Sequence, residues 1–308
     1  MEKMVSVIVP VYNRESLIGR CLDSIWAQSF RPLRVIVVDN ASSDDTVGGV
    51  SRWASAHEDD PTFELTLLSE STPGASAARN RGLREVDSKY TFFFDSDDEM
   101  LPGLIEKAVD KAESTGTDIV LWKAEIVNLD GRVSAKPYYE SDFIRRHMYN
   151  GLLATQIYMG RTELFRKVGG WEEKARVWND WELGVRLLLA NPRITTVPEK
   201  FVRIHAQRES ITGEAFSRRE GDWERTLDIV ESDISGLEGN ERKRLRRMLD
   251  YRRAILAAHY RREGAKAPAR ELLRKVLRRY GIVDRLRLRL LYDYTSRGGR
   301  GAYYLWQS

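Results

Sequence analysis

Residues 4–13 read MVSVIVPVYN, and residues 90–98 read YTFFFDSDD. The first holds a continuous, largely β-branched run from Met4 to Val11, closed by turn residues. It predicts a strand buried on both faces and is too short to cross a membrane. The second predicts another such strand, Tyr90 to Phe94, with acidic residues directly after it. Between the two the hydrophobic period alternates. Helical spacing runs from Glu15 to Ser29, a strand comes next at Leu33–Val38, and a second helix spans Thr46–His57. Phe63–Leu68 reads as a third strand and Gly74–Glu85, rich in Ala and Arg, as a third helix. Alternation of this kind implies an α/β fold with a doubly wound, mostly parallel sheet, because right-handed crossovers lay the helices on its faces.

Beyond Leu101 the pattern loosens into a helix (Leu104–Ser114), a strand (Asp118–Val127), a turn at Asp130-Gly131 and mixed elements up to about Ile211. From about Arg219 the chain reads as helical, with breaks at Gly236, Gly264 and Gly281. The expected division is 1–215 and 216–308, with the second part a C-terminal α-helical extension. No run of roughly 18 apolar residues suggests a membrane span, and the opening residues do not read as a signal peptide. The one cysteine, Cys21, has no partner for an internal disulfide, which fits a reducing, cytoplasmic setting. Its neighbours Leu17, Ile18, Leu22, Ile25 and Trp26 make it a packing residue.

The net charge of +4 conceals an asymmetry: Glu241–Ser308 carries 20 Lys and Arg against 6 Asp and Glu, leaving −10 on the first 240 residues. A basic tail on an acidic body points to an anionic partner or to a solvated helical bundle. The stretch RLRLRL near its end suits a strand or a helix with inward leucines. Basic residues beside Tyr and Trp suit the surface of an anionic membrane; packing or self-association through these helices is the alternative. No nucleic-acid motif is present, so no nucleic-acid partner is expected.

In an open parallel sheet, ligands bind beyond the carboxyl ends of the strands. The residues there are Pro10-Val11-Tyr12-Asn13, Asp39-Asn40 and Asp95-Ser96-Asp97-Asp98. Neither a GxGxxG nor a GxxxxGK[ST] loop is present, which excludes a dinucleotide turn and a P-loop. Asp95, Asp97 and Asp98 repel one another by several kcal/mol at low dielectric unless a cation intervenes. Hard carboxylate oxygens suit Mg²⁺ or Mn²⁺ bridged to phosphates. The competing reading is an acidic turn capping the next helix.

The segments VSVIVPVYN, VVDNASSDDT, PGASAARNRGL and FFFDSDD, in this order and spacing, resemble family 2 glycosyltransferases of the GT-A, Rossmann-like fold, over roughly residues 4–215. The resemblance implies that Pro10, Tyr12 and Asn13 line a nucleotide pocket and that Asp39 bonds the uracil ring. Asp95, with Ser96, would face the donor's ribose or sugar, Arg79 and Asn80 would belong to the donor-binding helix, and Asp97 would ligate the metal. Thr72 stands where the family usually has Asn. VGGWEEKARVWNDWELGVRLLL resembles the family segment that carries the general base, which implies Asp180 in that role, with Glu173 a rival and Asn179 replacing the usual Glu. First-turn acids favoured by the helix dipole are the structural alternative. One of Trp171, Trp178 and Trp181 could floor an acceptor site, although core packing is the commoner use of a tryptophan. His205 would complete the metal shell or touch the diphosphate, though the gap to Ser210 and Thr212 is longer than in the family.

The resemblance implies an inverting, Mn²⁺- or Mg²⁺-dependent glycosyltransferase in surface polysaccharide or glycoconjugate synthesis. It would move a sugar from a nucleotide-diphosphate donor, UDP-linked by preference, to a saccharide or lipid-linked acceptor, in the cytoplasm or peripherally at the inner membrane face. The rivals are a catalytically degenerate domain acting as a membrane or assembly scaffold and a sugar nucleotidyltransferase. The latter would typically need a Gly- and Lys/Arg-rich loop after the first strand, and PVYNRES is not one.

Overall fold

The structure, a computed structural model, describes residues 4–207, 215–299, 301 and 306. Ser210 and Thr212 lie outside the described residues. The chain forms two compact units. One takes the described residues of Met1–Phe143, Leu152–Glu173 and Arg186–Arg208; the other takes those of Ile144–Gly151, Lys174–Val185 and Glu209–Ser308.

The first unit is built on a mixed sheet of nine strands among the described residues. Its first half matches the alternating period: β1 (Val5–Val11), α1 (Ile18–Trp26), β2 (Leu33–Asp39), α2 (Thr46–Ser55), β3 (Phe63–Ser69), α3 (Ala75–Arg84) and β4 (Tyr90–Phe93). β3, β2, β1 and β4 lie side by side and all parallel. Both faces of β1 and β2 are buried, which is why each reads as an unbroken apolar run. α3 lies so close to the sheet that a Cβ on Gly82 would sit 2.6 Å from Ile8 Cγ2. Glycine is the residue that this packing distance admits.

The other half is mixed in direction. After β5 (Glu99–Met100), α4 (Leu104–Thr115), β6 (Ile119–Val127), β7 (Val133–Ala135) and α5 (Phe143–Asn150) come β8 (Tyr158–Arg161), α6 (Thr162–Lys167), α7 (Asn179–Leu189) and β9 (Ile194–His205). β8 inserts antiparallel between β4 and β6, β9 runs parallel to β6, and the short β5 pairs antiparallel with β9. That last pairing, Glu99 opposite Arg203, brings the end of β9 to the acidic turn after β4.

In the second unit α8 (Asp222–Ser235), α9 (Gly239–Arg262), α10 (Lys266–Leu277) and α11 (Ile282–Ser296) form a bundle in which α9 packs on the other three. RLRLRL is helical. Several tail arginines are internal. Arg253 is fully buried and bonds Asp250, Asp228 and Glu231, while Arg279 adds to Asp250 and Glu231. Burial pushes the Asp250 carboxyl above its usual range, and Arg279 and Arg253 oppose it. Arg247 pairs with Asp284 beneath the Trp306 ring. The charge of these cations is compensated by acids of the bundle, buried Asp250 among them, so they do not act as an external basic surface. No helix among the described residues is long and apolar enough to cross a membrane.

Candidate active site

The carboxyl ends of β1, β2 and β4 meet in the first unit, and side chains tie their loops together. Asn13 has a left-handed backbone (φ 51°), which Asn tolerates better than most residues. Its amide donates to Ser42 Oγ at 3.0 Å, and its Oδ1 accepts from the Ser43 amide at 2.8 Å. Asp39, buried at the end of β2, accepts from the Ser42 amide. Asn40 donates to the carbonyls of Glu70 and Thr72, both at 2.8 Å, and accepts from the Gly74 amide, which joins this loop to the start of α3. Thr72 thus contributes its backbone to the lattice. Pro10 is half-buried beside Val38, and Tyr12 is 57% exposed at the same edge. An exposed ring here presents a face on which a flat base can stack.

The acidic turn is held by three elements. Arg79, buried on α3, donates to Asp95 Oδ1 at 2.7 Å and lies 4.3 Å over the Trp171 ring. Its Nε and Nη1 are buried with no hydrogen-bond partner among the described residues, a cost that a bound anion or hydroxyl would relieve. Gln156, in the one-turn helix Thr155–Ile157 before β8, donates one Nε2 at 2.7 Å to both Asp95 Oδ2 and Asp98 Oδ2. The His205 amide donates to Asp98 Oδ1 at 2.9 Å, while its ring Nε2 lies 3.4 Å from Glu99 Oε2. Burial, then the charges of Asp95 and Asp97, push the Asp98 carboxyl well above the usual range, against the donors His205 and Gln156. Ser96 is buried in the same turn.

Asp97 differs from its neighbours. Arg14 Nη2 is 3.6 Å from its Oδ2, too long for a close hydrogen bond, and Arg20 reaches only its backbone carbonyl. Burial and then Asp95 raise its proton affinity, and Arg14 and Arg20 oppose this. Arg79 and Gln156 donate to Asp95, and Gln156 and the His205 amide donate to Asp98. Burial and the neighbouring carboxylates still raise the proton affinity of both Asp98 and Asp97. What sets Asp97 apart is that no side chain among the described residues donates closely to its carboxylate. Among the described residues no three His, Cys, Asp or Glu side chains come close enough to cage an ion. The donor set fits a hard cation shared between one carboxylate and substrate phosphates, not an all-protein cage. Cys21 is fully buried, its Sγ 3.7 Å from the Asp95 carbonyl, and burial with the three aspartates raises its thiol pKa well above normal. It is a packing residue.

Gln156, Arg14 and Arg20 join the sequence-predicted set. Arg14 directly follows the YN that marks the turn and could have been noticed there. Gln156 has no motif to reveal it.

Asn80 bonds the backbone of Trp171 in both directions and donates to Glu173 Oε1 at 3.0 Å, which occupies Glu173. Trp171 is buried against Phe93. Asp180 belongs to the second unit, in the first turn of α7, where its Oδ1 accepts from the Trp181 amide at 2.8 Å. Its charge favours the cationic form of the half-buried Arg252, whose pKa burial lowers to about 10. Arg252 donates to the Met148 carbonyl and packs over the rings of Trp178 and Trp181. His147 and Trp181, both buried, exchange side chain-to-carbonyl bonds.

Known proteins share this organisation. The family described as glycosyl transferase family 2 matches residues 6–169. A GalNAc(5)-diNAcBac-PP-undecaprenol beta-1,3-glucosyltransferase of Campylobacter jejuni is 36% identical over 107 residues, 35% of this chain and 34% of that protein. The chain spans about a third of the length of the first curated relatives that it matches. Among solved structures, Staphylococcus aureus TarS 1-349 in complex with UDP-GlcNAc superposes with a TM-score of 0.73 at 21% identity, over 97% of this chain and 89% of that one. Mannosyltransferase PcManGT from Pyrobaculum calidifontis, in complex with GDP-Man and Mn²⁺, gives 0.63 at 20% identity, over 99% and 85%. These two likenesses establish the GT-A fold with its helical extension. Because the family match covers more than half of the chain, on the sheet that its motifs predict, the chain belongs to glycosyl transferase family 2.

Proposed function

We propose that the protein is an inverting glycosyltransferase using a nucleotide-diphosphate sugar, UDP-linked by preference, with a saccharide or lipid-linked acceptor. The observation that carries this reading is the acidic turn at the strand ends: Asp95 and Asp98 are engaged by Arg79 and Gln156, and Asp97 is left with one distant cation. The UDP-GlcNAc bound by TarS and the GDP-Man and Mn²⁺ bound by PcManGT support a nucleotide-sugar donor and a divalent cation. The lipid-linked name of the Campylobacter relative supports the acceptor class.

Tyr12, Pro10 and Asn13 would hold the base, with Asp39 accepting from its ring N–H. Arg79, through its unpartnered Nε and Nη1, would meet the donor's oxygens. Asp97 would hold Mn²⁺ or Mg²⁺ together with the diphosphate, and His205, beside Asp98, is the second candidate ligand. Such an ion neutralises charge developing on the departing diphosphate. Asp180 takes the base role: it removes the acceptor hydroxyl's proton as that oxygen attacks the anomeric carbon. The nucleoside diphosphate leaves from the opposite face, which inverts the centre. We assign the catalytic domain to residues 1–215.

Calorimetric titration with UDP and with GDP, with and without Mn²⁺, on the wild type and Asp97→Ala, tests the donor site. Uridine-selective, Mn²⁺-strengthened binding that the substitution removes is expected. A folded protein that binds neither nucleotide would point to a scaffold.

A further inference from the structure

A helix that buries one face in a bundle normally carries polar residues on the other. α11 does not. It buries Leu288 and Leu291 in the core shared with α9 and α10, and also buries Tyr292 and Thr295. On its outer side stand Ile282, Val283, Leu286, Leu290 and Tyr294, between 47% and 77% exposed. At about 100° per residue, these five fall within an arc of about 120°, which holds one charged residue as well, Asp293, neutralised by its ion pair with Arg261 at 2.6 Å. By the same geometry Arg285 and Arg289 border the arc on one side and Arg287 on the other.

The cations beside this stripe differ from those inside the bundle. Arg247, Arg253 and Arg279 are all ion-paired. Arg270, Arg274, Arg278, Arg285 and Arg289 instead line, with two leucines, an open groove of about 370 Å³ between α10 and α11. No ion pair neutralises any of these five among the described residues, and Arg285 is steadied only by donating Nε to the Leu277 carbonyl at 2.9 Å.

We propose that this face docks the protein on a bilayer surface of acidic phospholipid. The aliphatic stripe enters the boundary between headgroups and acyl chains, and the five arginines hold the lipid phosphates. Both halves of the surface are needed to choose this occupant. A second copy on the same face would bring five unpaired arginines against five, which like-charge repulsion opposes. Single-stranded nucleic acid uses aromatic platforms, and four of the five outward residues are aliphatic.

The test is flotation with vesicles of phosphatidylcholine alone and of phosphatidylcholine mixed with phosphatidylglycerol, at low and high salt. The wild type, Leu286→Glu/Leu290→Glu and Arg285→Glu/Arg289→Glu are compared, with circular dichroism confirming that each is folded. The wild type should float with the acidic vesicles, lose them at high salt and leave pure phosphatidylcholine unbound. Each double variant should partition at least about tenfold more weakly. Failure of the folded wild type to float overturns the proposal, and so does a leucine variant that floats like the wild type. It is also overturned if light scattering shows a dimer that Leu286→Glu/Leu290→Glu dissolves, or a fluorescent RNA oligonucleotide binds, while vesicles do not. None of these readings uses donor binding, so they stand apart from the test of the active site.

Discussion

Replacing Gln156 by glutamate turns one amide nitrogen into a carboxylate oxygen at nearly constant volume. That nitrogen now donates to Asp95 Oδ2 and Asp98 Oδ2, each at 2.7 Å. The change removes both bonds, worth roughly 1.5–3 kcal/mol each when the acceptor is charged. It also sets a negative charge against two others, a repulsion of about 4 kcal/mol for a pair about 4 Å apart at an effective dielectric of about 20. Proton uptake limits the damage. Keeping a glutamate with a normal pKa of about 4.3 protonated at pH 7 costs about 3–4 kcal/mol, at about 1.4 kcal/mol per unit. The protonated group donates once where the amide donated twice, and Asp95, with 26% of its side chain exposed, is partly screened. With the lost, partly screened bond adding roughly 0.5–1.5 kcal/mol, Gln156→Glu should cost about 4–5 kcal/mol at pH 7 and about 1.5–2.5 kcal/mol at pH 5. Urea unfolding of both proteins at each pH, with unchanged m-values, measures this. A cost that is the same at pH 5 and pH 7, or below about 1 kcal/mol at pH 7, would refute the shared-amide account of the acidic turn.

Asp180→Asn should lower turnover by at least about a hundredfold, the usual contribution of a general base, while donor affinity stays within about twofold; near-normal turnover removes Asp180 from the mechanism. His147 supplies a pH dependence in the second unit. It is fully buried, its Nε2 donates to the Trp181 carbonyl at 2.8 Å, and burial lowers its pKa to about 3. The folded pKa lies below the unfolded value of about 6.5, so stability is full above that value and falls by about 1.4 kcal/mol per unit as pH drops toward 3. In His147→Asn this slope should vanish between pH 6 and pH 4; unfolding curves that stay parallel to the wild type's would show that His147 is not its source.

Where local period and short-range chemistry dominate, the chain was readable in one dimension. The runs from Val5 to Val11 and from Leu33 to Asp39 are apolar because both faces of a parallel strand are covered, and nothing distant changes that. The acidic turn comes directly after its strand, so its place at the sheet edge was visible, as was the Asn13 turn. The helical extension and its excess of charge were equally legible. The antiparallel insertion of β8 was not: Tyr158–Arg161 is four residues long, includes a glycine, and is a strand only because β4 and β6 flank it.

The partners of the acidic turn show where one-dimensional reading ends. Gln156 lies 61 residues from Asp95 and His205 lies 107 from Asp98, and only the register of β9 on β5 and the place of β8 bring them together. The tail poses the same problem in charge. Sequence counts its arginines but cannot sort Arg253, buried among acids, from Arg285 and Arg289, which have no ion pair among the described residues and stand beside an outward apolar stripe. Composition and periodicity act between near neighbours, so they determined the elements, the fold class and the acidic motif. Burial and pairing of charge depend on groups far apart along the chain, so the compensation of each carboxylate, and which cations face outward, were decided by tertiary structure alone.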